Sequence, residues 1–356
     1  MMPEYNLRIL IPEIFLFLWA LFLFAFDLGT RRKNPKLIGY LGMFGVAVTA
    51  VLLYLFHGGI SFNNMFQSDQ LATFFKVIFL GSAFMAIGSS FDIASQKIRN
   101  HRGEYYGLVL FSTVGMMFLA SSSELISLYV GLELTTIPLY VLAAYYKDDR
   151  ISVEAGLKYL IVGAFSSAIL LYGLSMLYGL TGTTDIVQMK INLSLIFLSA
   201  GKIGPGLILA MVRVIAGSGY TRAVVPFHLW APAVYQGAPT PINAFLSVGS
   251  KAAGVAAFLR IFVNGLYGFA DEVMRPLDWG IIIAVLAAAA MILGNITALR
   301  QNNIKRMLAY SSIAQIGYVM IGMIAVSDLG VASVGYYMFI YLFANMGAFA
   351  VATVFN

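Results

Sequence analysis

Long apolar stretches alternate with short polar ones along the whole chain. They fall near 9–29, 37–56, 71–92, 106–121, 124–146, 153–179, 200–217, 238–262, 277–298, 305–325 and 330–354. Most reach the roughly 20 residues needed to cross about 30 Å of hydrocarbon. Each is expected to be helical, because without water only helices and closed barrels satisfy every backbone N–H and C=O. Barrel strands would show about ten alternating residues, and no such alternation occurs. The pattern predicts an all-α polytopic membrane protein of about eleven transmembrane helices.

One stretch breaks the regularity. Gly217-Ser218-Gly219, Pro226, Pro232, Pro239 and Pro241 cannot share one uninterrupted helix. This leaves a long loop with a re-entrant piece, or a broken membrane helix near 217–232 whose freed backbone groups line a polar site at mid-depth. Short apolar pieces on either side, 207–216 and 223–230, favour the broken helix.

Composition supports the membrane reading. The chain is 60 % hydrophobic and 11 % charged, where a soluble domain carries about a quarter charged residues. The net charge of +6 sits in alternate loops: Arg31, Arg32, Lys33 and Lys36; Lys97, Arg99 and Arg102; Lys147 and Arg150; Arg300, Lys305 and Arg306. The intervening loops near 57–70, 121–123, 180–199, 264–276 and 326–329 hold only Lys190 and Arg275. By the positive-inside rule the basic loops are cytoplasmic and the N-terminus is outside. The basic balance is thus a topology signal, and no nucleic-acid partner is expected. The absence of cysteine excludes disulfides, thiol catalysis and iron–sulfur ligation by this chain. Glu4 and Glu13 flank the first apolar run where a signal peptide would be basic, so the first helix is expected to stay in the protein.

Charged residues inside apolar runs carry the candidate chemistry. Glu133 lies far from either end of its helix, so it is expected to be paired, protonated part of the time, or used as a neutral helix-packing group. Glu154 and Lys158 are spaced i, i+4 and share one face; Glu154 also fits a helix start, and Lys158 a snorkelling lysine. Lys251 stands within 244–262, with Ser247 one turn before it. A lysine stripped of water at that depth can exchange protons near neutral pH, or serve as fixed counter-ion to a buried acid. Both readings ask for a carboxylate partner. Ser311, Gln315 and Tyr318 form a polar stripe, Lys305 and Arg306 fit membrane anchors, and His228 in the proline-rich break suits either a structural role or a proton path. Arg213 and Arg222 could pair with Glu133 or lie in the break, and neither can release a proton. Glu124 is given no role.

The wording at these positions resembles the subunit N family of bacterial respiratory complex I, the NADH-quinone oxidoreductase. The resemblance is carried by Ser127-Leu-Tyr-Val-Gly-Leu-Glu-Leu134 with Pro138-Leu-Tyr-Val-Leu142, and by Glu154-Ala-Gly-Leu-Lys-Tyr159. Further along it rests on Val225-Pro-Phe-His-Leu-Trp-Ala-Pro232, Val234-Tyr-Gln-Gly-Ala-Pro-Thr-Pro241, Phe245-Leu-Ser-Val-Gly-Ser-Lys-Ala-Ala253 and Asn303-Ile-Lys-Arg-Met-Leu-Ala-Tyr-Ser-Ser312. Sister antiporter-like subunits and Mrp-type antiporters share the fold but differ in these motifs, and a chloroplast-type homologue is the nearest competitor.

The resemblance implies an antiporter-like, inverted-repeat subunit. Residues 1–104 would form three N-terminal helices, 105–262 a first five-helix repeat, and 263–356 an incomplete second repeat of three helices. It implies no redox cofactor in this chain, with flavin, iron–sulfur clusters and quinone in partner subunits. The implied partners are other antiporter-like and small membrane subunits in the bacterial inner membrane. By matching motif, Glu133 is the acid paired with a lysine, and Lys158 and Lys251 are relay lysines; Glu154, Thr221, Arg222, His228, Lys305 and Gln315 are auxiliary. The function implied is proton translocation coupled to NADH-to-quinone electron transfer, against a cation/proton antiporter of Mrp type or an inactive membrane scaffold. The sequence departs from the family at Thr221, which stands where the broken-helix lysine is expected, and at Ala233, which replaces an Asp. It also ends at Asn356, before a second broken helix and its lysine, as either a fragment or a C-terminally shortened member would.

Overall fold

The computed structural model describes residues 5–29, 35–96, 98, 101–200, 204–266, 279–325 and 327–355. Of the basic residues used to orient the chain, Arg31, Arg32, Lys33, Lys97, Arg99 and Arg275 lie outside the described residues.

The described chain is a helical bundle. A 3₁₀ turn leads into α1 (Ile11–Gly29), followed by α2 (Pro35–Leu55), a hairpin of β1 (Gly59–Ser61) and β2 (Phe66–Ser68), α3 (Gln70–Ser89) and the short α4 (Phe91–Gln96). Next come α5 (Arg102–Ser121), α6 (Leu125–Ala143), α7 (Arg150–Thr181) and α8 (Ile186–Ala200). α9 (Pro205–Thr221) and α10 (Trp230–Gly237) precede the long α11 (Thr240–Leu266), and α12 (Trp279–Ala298), α13 (Ile304–Ile324) and α14 (Asp328–Val354) complete the bundle. Among the described residues, ten helices are long and apolar enough to span a membrane. At the remaining expected segment, 200–217, α9 is an apolar helix too short to be counted with these ten.

Polar caps set where these apolar helices begin. Asp69 accepts from the Ala72 amide at 2.8 Å, Glu124 from Ser127 at 3.1 Å, and Asn303 from the amides of Lys305 and Arg306. Each satisfies an N-terminal donor that the helix leaves open. Glu124 therefore has a structural task that its sequence position did not reveal. One expectation is corrected: 180–199 is not a loop, because Ile186–Ala200 is helical and packs on α7 and the far end of α11.

Loops gather at two opposite ends. At one, Tyr145 donates to the His101 carbonyl at 2.6 Å, and Asp92, Tyr146, Asp149, Gln236, Thr240 and Lys305 share one cavity of about 680 Å³. At the other, Asn64 donates to Asp185 at 2.8 Å. There Arg260 grips Asp69 through two hydrogen bonds of 2.6 and 2.7 Å and the Ala120 carbonyl at 3.0 Å. This bidentate clamp ties α11 to the starts and ends of its neighbours, a geometry that suits guanidinium and no other cation.

α11 is the axis of the bundle. Almost every one of its residues is buried, against α3, α5, α9 and α14 among others. Small residues allow the approach: a Cβ built on Gly249 would lie 2.8 Å from the Ser82 hydroxyl of α3. The helix is not uniform. It is π-helical over Leu246–Ser250 and again over Leu259–Leu266, with a regular α-helical stretch, Lys251–Phe258, between. Such π segments recur at functional sites in helices.

Candidate functional site

Lys251 opens the α-helical stretch between the two π segments and is 1 % exposed. Its Nζ donates to the Ser312 carbonyl at 2.7 Å and to the Ser312 hydroxyl at 2.8 Å, both on α13. The Ser312 hydroxyl in turn donates to Ala309 O at 2.7 Å. Among the described residues no carboxylate lies within ion-pair distance of Lys251. The expected acid partner is replaced by neutral oxygens. One turn earlier Ser247 receives the Asn345 amide from α14. Asn345, Ser311 and Gln315 border a groove of about 460 Å³ between α13 and α14, where Tyr337 donates to Gln315. The polar stripe of α13 thus divides: Ser311 and Gln315 face the groove, while Tyr318 accepts from Asn295 at 2.9 Å on the exposed side.

The broken helix is present as expected. α9 ends at Thr221, residues 222–229 form turns containing the cis Val225–Pro226 bond, and α10 resumes at Trp230. The carbonyls released by the break are taken up by side chains. Thr221 Oγ1 and Arg222 Nε donate to Ser218 O at 2.8 and 3.0 Å, and Trp230 Nε1 donates to Tyr220 O at 3.1 Å. Arg222 is buried, and its charge caps the negative end of α9. Its guanidinium also lies 4.5 Å from the Phe258 ring centroid. It faces α11 and α13, not Glu133. Arg213 lies over the Tyr172 ring at 3.9 Å and meets the Met176 sulfur at 3.2 Å. Neither arginine pairs with Glu133, which corrects the pairing considered for them. Thr221 and Arg222 instead come within reach of Gly254, one turn beyond Lys251.

Glu133 is partly buried on α6 and receives the hydroxyl of Ser167 from α7; Ser167 also meets the Tyr129 hydroxyl at 2.9 Å. No cation lies within ion-pair distance of it among the described residues. Glu154 and Lys158, on one face of α7 as expected, form an ion pair one turn apart on its exposed side. An aromatic bridge runs inward from this region. Tyr140 meets Tyr159 edge to face at 4.7 Å, and Tyr159 stacks on Trp230 at 4.6 Å. His228 is buried in the break with its ring 6.5 Å from that of Tyr310, and Lys305 donates to the Ala238 carbonyl at 3.2 Å.

Two buried cations escaped the sequence reading. Lys76 and Glu13 form a fully buried ion pair at 2.7 Å between α3 and α1, and Arg260 makes the clamp described above. A lone charge within an apolar run, the feature that singled out Lys251, also marks Phe75-Lys76-Val77 and Leu259-Arg260-Ile261.

Comparison with known proteins places this arrangement. Residues 122–356 match the family described as NADH:quinone oxidoreductase/Mrp antiporter, transmembrane. A NADH-quinone oxidoreductase subunit N of Heliobacterium modesticaldum is 43 % identical over 352 residues, 98 % of this chain and 71 % of the relative. The NAD(P)H-quinone oxidoreductase subunit 2 of Synechocystis is 41 % identical over 99 % of this chain and 67 % of its own length. Among solved structures, a chain of respiratory complex I from Thermus thermophilus with bound aureothin matches with a TM-score of 0.78 and 31 % identity, covering 96 % of this chain and 70 % of that one. A chain of the Mrp complex from Dietzia matches at 20 % identity with a TM-score of 0.75, over 97 % of this chain and 64 % of that one, a likeness of fold.

Proposed function

Because the chain belongs to the NADH-quinone oxidoreductase subunit N family, we propose that Lys251 is the central proton carrier of a non-redox subunit whose pumping is driven by electron transfer in its partners. The observation that carries this is the environment of Lys251. It is a buried amine held by two oxygens of Ser312 with no carboxylate to fix its charge. Holding a charge there without a counter-ion is costly, so the amine is poised to be neutral or charged according to what approaches it. A permanent ion pair would remove that freedom.

Glu133 and Lys158 act as the outlying members of the relay. Glu133 is reached through Ser167, and the Tyr140–Tyr159–Trp230 stack bridges α6 and α7 to the broken helix. Glu154 holds Lys158 until a neighbour competes for it. An ion pair facing outward two turns into an apolar helix suits a contact with another membrane subunit better than lipid. Arg222 keeps a positive charge in the break but cannot take part in transfer, since arginine stays protonated. Thr221 offers a hydroxyl where the family has a lysine. Lys305 borders the cavity at the basic end and Gln315 the groove between α13 and α14, while His228 lies buried in the break. Residues 105–262 act as the first repeat, in the bacterial inner membrane with the basic loops cytoplasmic.

The test is NADH-driven proton uptake by membrane vesicles carrying the assembled oxidoreductase with Lys251→Ala. Fewer protons per electron are expected; an unchanged ratio sinks the proposal.

A further inference from the structure

Several buried polar side-chain atoms have no hydrogen-bond partner in the protein, among them atoms of Tyr235 and of Asn243, which bonds the Tyr235 backbone. The Tyr235 hydroxyl on α10 is fully buried, has no partner, and lies beside the Ser312 hydroxyl. The Tyr341 hydroxyl on α14 is likewise buried and unpartnered. Asn243 donates to the Tyr235 carbonyl at 2.6 Å, yet its own Oδ1 has no partner. A buried hydroxyl without a bond costs free energy, so several on facing helices mark a place where water resides or a proton passes. The next residues along α10, Gln236 and Gly237, line the polar cavity of about 680 Å³ at the basic end. Tyr235 thus directly precedes two cavity-lining residues on α10, while its own hydroxyl is buried on the side of Ser312.

We propose that Tyr235 is the proton donor that loads Lys251 from the cavity, through the Ser312 hydroxyl. Ser312 can do this because its oxygen already accepts from Lys251 and donates to Ala309 O, leaving one lone pair for Tyr235. In the loading step the Ser312 hydroxyl turns from Ala309 to the neutral amine and gives up its proton. Its oxygen takes the proton of Tyr235, and Tyr235 takes one from a hydronium ion that reaches it from the cavity. Each hydroxyl breaks one O–H bond and forms one. A water molecule is left in the cavity, and the positive charge ends on Lys251.

This inference rests on the role proposed for Lys251, and the experiment separates the two. Proton uptake per electron is measured in vesicles for Tyr235→Phe and Lys251→Ala, with the amount of assembled complex determined for each. Tyr235→Phe keeps the ring against Phe349, 6.0 Å between centroids, and removes only the hydroxyl. The expected result is full assembly with a loss of proton uptake as large as that of Lys251→Ala. If Lys251→Ala loses uptake and Tyr235→Phe does not, the Tyr235 inference falls alone. If neither loses it, the Lys251 reading falls too. Failure of Tyr235→Phe to assemble also overturns the inference, because a hydroxyl without a protein partner has no fold to hold.

Discussion

Lys251 is anchored to Ser312 through two oxygens of one residue, the carbonyl at 2.7 Å and the hydroxyl at 2.8 Å, across 61 positions of sequence. The two acceptors differ in what they permit. The carbonyl is a fixed acceptor, whereas the hydroxyl can both accept and donate. Ser312→Ala removes only the second. A hydrogen bond to a charged group contributes about 1.5–3 kcal/mol, so the charged amine should be held less firmly. Proton uptake is expected to fall while the helices stay packed, since the carbonyl remains. Steady-state uptake in vesicles, normalised to assembled complex, checks this; a normal rate would show the hydroxyl to be dispensable.

Glu13 and Lys76 sit at the opposite extreme, a fully buried pair at 2.7 Å with each charge fixed by the other. Removing one partner leaves an uncompensated buried charge, at a cost of about 3–5 kcal/mol, whereas replacing both by apolar groups is often close to neutral. Glu13→Gln should lower the thermal unfolding temperature in detergent markedly, and Glu13→Gln combined with Lys76→Met should recover most of the loss. A double variant as unstable as the single one would argue that the pair does more than match its own charges.

Much of this was legible in the sequence, and the reason is the bilayer. Hydrocarbon forces every crossing into an apolar helix, so span length and the Gly217-Ser218-Gly219 and proline break could be read directly. α8 could not: Gln188, Lys190 and Asn192 interrupt its apolar pattern, and its helix packs on α7 and the far end of α11. The depth of Lys251 was readable, but its lack of an acid partner was not, because Ser312 is one of many serines in α-helical sequence. Arg222 was out of reach for a similar reason. Its direction depends on the turn after Thr221, where Ala223 takes a left-handed φ of 55°.

Arg222 also fixes how closely α9 approaches the lysine helix. A Cβ on Gly254 would lie 2.9 Å from Arg222 Cγ and 3.3 Å from Thr221 Oγ1. Gly254→Ala should therefore crowd the break and cost about 1–3 kcal/mol, read as a fall in unfolding temperature. Gly179→Ala on α7, with open space around its Cβ, is the matched control and should be neutral or slightly stabilising. Equal effects at the two sites would mean that the break adjusts freely.

The central claim is that Lys251 gives up and regains a proton, rather than serving as a fixed positive charge. Lys251→Arg separates these roles, because arginine keeps the charge and can still donate to the Ser312 oxygens but does not release a proton. Protons taken up per NADH oxidised, measured in vesicles with the assembled complex, should fall in Lys251→Arg to the level of Lys251→Ala. A Lys251→Arg complex that pumps at the wild-type ratio would contradict the account.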